Sequence, residues 1–267
     1  MRLHNQFRPV DAGKIQQPTF GSALRRLRDE RGVSREKLAA ATNVSASYIT
    51  HLENGQRDRP THSVVDALSG YLHAVQPLSN AERRHLFDLA RLDAAPQPSL
   101  DDLRAALSPS ALDALHRHEP WPAVYLDTRS NVLSCNESYG RTFAGILDNG
   151  SILRWLFRDP RSHEVLVEWE HEAMLTVALV QGFMGRSEYP EWWAETIEDL
   201  ADSPEFLRIW NAVEAGYGRD PAWMALRHPE SGEPYHLDLR VFQFDSVDYR
   251  DRILFVAGFG TTSEVTR

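Results

Sequence analysis

The chain has 267 residues, which is room for about two domains of about 100–200 residues each. Hydrophobic residues make up 42% and charged residues 25%, a globular composition that excludes disordered, collagen-like and coiled-coil rods. No apolar run approaches the roughly 20 residues of a membrane-spanning helix. Residues 1–6 lack the apolar core of a signal peptide. Because Cys135 is the single cysteine, an internal disulfide framework and a cysteine-based zinc site are excluded. We therefore expect a soluble, cytoplasmic protein with no membrane partner.

Charge is distributed unevenly along the chain. Residues 1–95 carry 14 Lys and Arg against 10 Asp and Glu, a net charge of +4. Residues 96–267 carry 15 against 28, a net charge of −13. A basic part joined to an acidic remainder predicts that the N-terminal part alone binds a polyanion.

The N-terminal part is predicted to be helical. Residues 1–17 lack apolar periodicity and are expected to be a flexible tail, followed by a helical domain over 18–92. The first helix places Leu24 and Leu27 on one face. Its basic side chains are expected elsewhere on the helix: Arg25, Arg26 and Arg28.

Residues 34–55 have the pattern of a short helix, a tight turn and a second short helix. Ser34 and Ser45 are expected to be N-cap residues, because a serine hydroxyl accepts a hydrogen bond from a free amide of the first turn. Asn54 and Gly55 end the second helix.

The apolar pattern of this segment predicts a helix-turn-helix. Small residues are needed where its two helices cross, and Ala39 and Ala40 are the candidates. Val44 is the buried residue expected after the turn, and Ile49 and Leu52 form the apolar stripe behind the second helix. The opposite face of that helix presents these side chains to a DNA groove: Ala46, Ser47, Thr50 and His51.

With its closing Leu52-Glu-Asn-Gly55, this segment resembles the helix-turn-helix of the XRE (Cro/C1-type) regulators, and the resemblance covers about residues 20–92. It implies binding to a double-stranded DNA operator, with residues 45–54 in the major groove. It implies that Arg35 contacts phosphate and that Asn54 lies in a turn against the DNA backbone. The DNA-binding residues implied are Arg35, Ser45, Ala46, Ser47, Thr50, His51, Asn54 and Arg57. An all-helical protein contact is the alternative, but the cations Arg35, Lys37, Arg57 and Arg59 favour phosphates.

The remaining chain is predicted to be a connector and a second domain. Residues 93–118 are a Pro-rich linker and a connector helix interrupted near Ser108-Pro109. The domain at 119–267 starts with two strands, at 123–126 and 132–135. Helices are expected at 137–147, 151–158, 161–184 and 191–216, the last broken at Ser203-Pro204. Strands at 222–227, 235–244 and 252–259 follow, with a hairpin turn at 228–232. The fold class predicted is an all-α helix-turn-helix domain plus an α+β domain, a five-stranded antiparallel sheet with a helical insert.

The second domain is similar to the ligand-binding domain of MmyB-like transcription regulators. The similarity rests on the order and spacing of segments 125–136, 153–160, 203–210 and 226–229, and it spans about residues 108–262. It implies a PAS-like fold and a small apolar ligand, with fatty acids as the leading class.

The candidate ligand-binding residues are Asn136, Ile152, Arg154, Trp155, Met174 and Val177. Ile152 and Trp155 share one side of a helix and are expected to form a pocket wall, with Met174 and Val177 on the next long helix. Each of these four is also compatible with ordinary core packing. Asn136 or Arg154 would hold a head group. For Asn136 the alternative is helix capping, and for Arg154 it is exposure or pairing with an acid.

The second domain shows no catalytic or metal-binding pattern. His163-Glu164 lacks the second histidine of a zinc protease, since residue 167 is Val. The acids Glu164, Glu168, Glu170 and Glu172 are expected to be a solvated face. No catalytic residue, metal or cofactor is predicted.

The sequence thus predicts a homodimeric transcription regulator that is not an enzyme and senses a fatty acid or related lipid. Two alternatives remain open. In the first, the second domain binds no ligand and acts only in dimerisation or protein interaction. In the second, it is an acyl-group hydrolase tethered to DNA.

Overall fold

The computed structural model describes residues 18–92, 97–186 and 191–260. The chain separates into two compact units, divided between residues 94 and 95. The tail predicted at 1–17 and the residues 93–96 of the predicted linker lie outside the described residues.

The N-terminal unit is built from helices, as its sequence predicts. They are α1 (Phe20–Glu30), α2 (Arg35–Thr42), α3 (Ala46–Glu53), α4 (His62–Val75) and α5 (Asn80–Ala90). Ser34 and Ser45 cap α2 and α3 as expected, each accepting a hydrogen bond from the amide three residues later. Leu24 and Leu27 are buried, which confirms the apolar face of α1.

Gly21 is the point of closest approach between α1 and α3. A Cβ atom built on Gly21 would lie 2.1 Å from the carbonyl oxygen of Leu52 and 3.0 Å from the backbone of Glu53. Only a residue without a side chain lets the two backbones pack at this distance.

The C-terminal unit combines short helices with one sheet. The helices are α6 (Leu100–Ala105), α7 (Pro109–Arg117), α8 (Glu137–Thr142), α9 (Ile146–Asn149), α10 (Ile152–Arg158), α11 (Arg161–Val165), α12 (Trp169–Met184), α13 (Glu191–Leu200) and α14 (Pro204–Ala212). The strands are β1 (Ala123–Asp127), β2 (Val132–Cys135), β3 (Trp223–Arg227), β4 (Pro234–Phe244) and β5 (Ile253–Gly260). The α+β class is therefore confirmed, with the helical insert between β2 and β3.

The five strands pair antiparallel in the order β2-β1-β5-β4-β3. Leu126 pairs with Leu254, and Val241 pairs with Val256, so aliphatic side chains from three adjacent strands stand on one face. The predicted hairpin joins β3 to β4, and Gly232 takes the positive φ of 71° that this turn requires.

Two of the predicted helices are each divided in the structure. The helix expected over 161–184 becomes α11 and α12, because the backbone between them leaves the helix to meet β3. Leu166 forms a bridge with Leu226, and the amide of Val167 donates to the carbonyl of Ala225 at 3.0 Å. The helix expected over 137–147 becomes α8 and α9, separated where Gly145 takes a φ of 89°. The helix expected over 191–216 breaks at Ser203 as predicted but ends at Ala212.

Candidate DNA-binding face and ligand cavity

Helices α2 and α3 and the turn between them form the predicted helix-turn-helix. Asn43 ends α2 in the left-handed conformation, with φ 55° and ψ 25°, which turns the chain sharply into α3. Ile49 and Leu52 are fully buried, and Val44 is buried after the turn as expected. Ala40 is exposed, so the prediction that it lies where the two helices cross is wrong. Ala39, the other small residue predicted there, is half-buried.

The opposite face of α3 carries the predicted groove residues. Ser45, Ser47 and His51 are exposed, and Ala46 and Thr50 are half-buried. The Thr50 hydroxyl donates to the carbonyl of Ala46 at 2.9 Å.

His51 lies within local contacts on this face. Its Nε2 is 3.3 Å from the Ser47 hydroxyl, and its Nδ1 pairs with the side chain of Gln56. Asn54 and Arg57 follow the helix and are exposed. The structure thus gathers all of these residues at one end and one face of α3, and their contacts with DNA stay a prediction.

A buried glutamate, which the sequence reasoning missed, stands directly behind this face. The Glu53 side chain is 0% exposed. Arg28 binds it with two hydrogen bonds, Nε to Oε1 at 2.7 Å and Nη2 to Oε2 at 3.0 Å. Arg28 also donates to the carbonyl of Val33 at 2.8 Å. We name Arg28, Arg35 and Glu53 the Glu53 cluster; within it, Glu53 raises the pKa of the Arg28 guanidinium.

Arg35 is the third member of the Glu53 cluster. Its Nε and Nη2 both lie 2.7 Å from Oε2 of Glu53, and its side chain is 32% exposed. A phosphate contact by Arg35 would therefore come from a guanidinium that already has an internal partner. Arg28, which the sequence places elsewhere on α1 than Leu24 and Leu27, is buried with Glu53.

The C-terminal unit contains an apolar cavity of about 110 Å³ between the sheet and its helices. Leu126, Leu239, Val241, Leu254 and Val256 line it from the sheet. The lining also includes Met224 of β3 and the helical and connecting residues Ser130, Tyr139, Phe143, Ile146, Ile152, Trp155, Leu156, Leu166, Glu172, Thr176, Leu179, Val180, Phe183 and Arg219. The sheet and the helical insert together form the walls of this partly open cavity.

Two charged residues, Glu172 and Arg219, stand in the lining of this apolar cavity. Nη1 of Arg219 donates to Oε2 of Glu172 at 2.6 Å, and Nη2 donates to Oε1 at 2.5 Å. Nη2 also donates to the carbonyl of Trp223 at 3.1 Å. The Glu172 side chain is 3% exposed and that of Arg219 is 10% exposed. The expected solvated acidic face is therefore wrong at Glu172, whose partner lies 47 residues away.

Ile152 and Trp155 are the predicted ligand residues that the structure brings to the cavity. Trp155 is 2% exposed, and its indole Nε1 donates to the carbonyl of Ala144 at 2.9 Å. Its polar atom is thus satisfied by the backbone, which leaves the ring as apolar wall.

Asn136 is corrected from a candidate head-group ligand to a structural residue. Its Oδ1 accepts from the amides of Ala123 and Tyr139 at 3.0 and 2.9 Å, and its Nδ2 donates to the carbonyls of Leu115 and Trp121 at 3.3 and 2.8 Å. These four bonds use the full hydrogen-bonding capacity of the side-chain amide. Asn136 is therefore the N-cap of α8, which was the alternative to a ligand contact.

Arg154, Met174 and Val177 also stand outside the cavity lining. Arg154 pairs with Asp199 at 2.6 Å and lines a separate, open polar cleft of about 560 Å³. Met174 is 39% exposed, and Val177 is fully buried in the core. Met174 and Val177 lie outside the lining because the side of α12 that faces the cavity begins at Glu172 and continues through Thr176, Leu179, Val180 and Phe183.

Within 18–92, 97–186 and 191–260, no group of three His, Cys, Asp or Glu residues is arranged to hold a metal ion. No helix in these ranges is long and apolar enough to cross a membrane.

Comparison with known families assigns each unit. A helix-turn-helix domain model matches residues 19–86. A model of the MmyB-like transcription regulator ligand binding domain matches residues 107–266, more than half of the chain. No curated protein matches the chain. The chain therefore belongs to the MmyB-like transcription regulators, DNA-binding proteins that carry a helix-turn-helix domain and a ligand-binding domain.

Proposed function

We propose that this regulator binds operator DNA as a homodimer through α3 and that a small, largely apolar ligand occupies the cavity of its C-terminal unit. A fatty acid or a related lipid is the ligand class we favour. The observation that carries this proposal is the apolar lining of the cavity, in which Trp155 and aliphatic side chains surround one buried ion pair.

For the DNA-binding unit, the proposal rests on the shape and charge of the α3 face. Ser47 and His51 are exposed on it, and Lys37, Arg57 and Arg59 are exposed beside it. Short polar side chains flanked by cations suit a helix that enters the major groove between phosphates. We expect a dimer on an inverted repeat with half-sites about 10 bp apart.

For the ligand-binding unit, the strand order with a helical insert supports a PAS-like fold. Each methylene buried in such a cavity contributes about 0.8 kcal/mol before the entropy of binding is subtracted. The cavity volume of about 110 Å³ is below the roughly 300–1,000 Å³ of common ligand sites. We therefore propose that a short chain fits the cavity as it stands and that a longer one enters by spreading α12 from the sheet.

The test is a matched pair of cavity variants of the full chain. Leu175 and Leu179 lie one turn apart on α12 and are both half-buried, but only Leu179 is part of the cavity lining. Leu179→Trp should fill the cavity and reduce the affinity for octanoate and octanamide at least about tenfold, whereas Leu175→Trp should not. Tryptophan fluorescence and calorimetry measure binding, and the melting temperature checks that both variants are folded.

Equal binding by both variants would contradict the cavity as the ligand site. No saturable binding of either octanoate or octanamide by the unmodified chain would favour a C-terminal unit that acts only in dimerisation or protein interaction.

A further inference from the structure

The ion pair in the cavity lining leaves part of the Arg219 guanidinium for another acceptor. In the part of the chain that the structure describes, Nε of Arg219 is buried and has no hydrogen-bond partner. A buried donor without a partner costs about 1–3 kcal/mol, so a ligand atom that accepts its proton would remove that cost. The other two nitrogens of the guanidinium are taken by Glu172 and by the carbonyl of Trp223.

The charge of this guanidinium is already balanced. Both carboxylate oxygens of Glu172 accept from Arg219 in a two-bond pair that is almost fully buried. A ligand carboxylate at Nε would stand beside the carboxylate of Glu172 in a poorly solvated space. Two carboxylates that share such a site repel each other, and one of them becomes hard to ionise.

We propose that this cavity selects ligands whose polar end is an uncharged hydrogen-bond acceptor, bound by Nε of Arg219, and that Glu172 excludes carboxylates. The inference rests on the proposed function, because it concerns the ligand of the same cavity. Within the lipid class proposed above, this chemistry favours amides, ketones, esters and lactones, and it admits a fatty acid only in its protonated form.

The apolar part of the ligand has a defined direction. Glu172, Thr176, Leu179, Val180 and Phe183 all line the cavity from α12. Their spacing of four, seven, eight and eleven residues from Glu172 keeps them on one side of a helix over about 16 Å. An alkyl chain that starts at Arg219 therefore runs along α12 towards Phe183.

The experiment compares probes with similar chains and different ends on the full-length protein. Octanamide and octanoate are nearly identical in shape and differ in charge, and 2-nonanone has an acceptor but no donor. We expect octanamide and 2-nonanone to bind at least about tenfold more tightly than octanoate at neutral pH. Tighter binding of octanoate than of both neutral probes would overturn the proposal while leaving the apolar cavity as the ligand site.

Two conservative variants test the roles of the individual residues. Glu172→Gln removes the repelling charge and should reverse the order, so that octanoate binds more tightly than octanamide. Arg219→Lys keeps a cation for Glu172 but removes the Nε donor, so it should lower the affinity for 2-nonanone with little change in that for octanoate.

If Glu172→Gln does not fold, the probe series on the unmodified chain and on Arg219→Lys still decides the question. A folded Glu172→Gln that keeps the original order would show that Glu172 excludes nothing. The absence of binding by all three probes would count against the proposed function itself.

Discussion

The two units of this protein bury a glutamate in opposite ways. In the N-terminal unit, Glu53 receives hydrogen bonds from Arg28 and Arg35 and is 0% exposed in close-packed surroundings. In the C-terminal unit, Glu172 has one arginine partner, which borders a cavity and keeps an unused donor. The first arrangement joins helices α1, α2 and α3 into one body. The second leaves hydrogen-bonding capacity where a small molecule fits.

This comparison suggests that a buried ion pair indicates a binding site only under two conditions. One of its polar atoms lacks a hydrogen-bond partner, and the pair borders a cavity that a ligand can fill. A complete pair is a structural element, because removing one partner leaves an uncompensated charge in the core. Within the Glu53 cluster, Arg28 and Glu53 are buried and support the DNA-binding face, whereas the partly exposed Arg35 also belongs to that face.

The largest effect is expected for Glu53→Ala. This change removes the two-bond partner of buried Arg28 and the partner of Arg35, and it leaves Arg28 the exposed carboxylate of Asp29 at 2.7 Å as an ion-pair partner. It should lower the free energy of unfolding of the N-terminal unit by about 3–5 kcal/mol. Chemical denaturation followed by circular dichroism measures it. The control is Glu30→Gln, which breaks an exposed pair with Arg26 at 2.9 Å and should change stability by less than about 1 kcal/mol. Similar losses in both variants would show that the Glu53 cluster is not a structural element.

An intermediate effect is expected for Gly21→Ala, which pushes α1 away from α3 at the cluster. Because the new methyl group would lie 2.1 Å from the carbonyl oxygen of Leu52, we expect a loss of about 1–3 kcal/mol. Gly70 is the matched control, since it lies inside α4 with no atom within 4 Å of a built Cβ. Gly70→Ala should stabilise the protein by about 0.5–1 kcal/mol. Thermal melts of the two variants should shift in opposite directions, and shifts in the same direction would contradict the close packing.

The smallest effects on stability, and the most specific effects on DNA binding, are expected for substitutions of Arg35 and His51. Arg35→Ala should weaken binding to all DNA sequences alike and reduce the salt slope by about one. It should also destabilise the N-terminal unit more than His51→Ala does, because Arg35 donates a hydrogen bond to the buried carboxylate of Glu53.

His51→Ala should relax the preference at one base-pair position while stability changes by less than about 0.5 kcal/mol. Binding titrations over several salt concentrations and a panel of operator variants separate the two effects. Identical salt slopes and sequence profiles for Arg35→Ala and His51→Ala would contradict the assignment of the groove face.

The sequence alone was enough for those features that neighbouring residues determine. Ser34 and Ser45 cap their helices because a cap needs an amide only three residues away. Ile49 and Leu52 are buried because helical spacing puts them on one side. The β3–β4 hairpin forms because a glycine stands where the turn needs a positive φ.

The tertiary structure alone decided the features that depend on distant partners. Arg28 and Glu53 are 25 residues apart, and Glu172 and Arg219 are 47 residues apart. Local pattern predicts a solvated Glu172 and gives no sign that Arg28 is buried, because charged residues are rarely buried without a partner. Distant contacts also decide which predicted residues reach the cavity. Ile152 and Trp155 line it, whereas the side-chain amide of Asn136 is hydrogen-bonded to four backbone groups that the fold brings together. Helix caps, helical periodicity and the hairpin turn are set by contacts along the chain. The break between α11 and α12 and the chemistry of the cavity are set by contacts between distant segments.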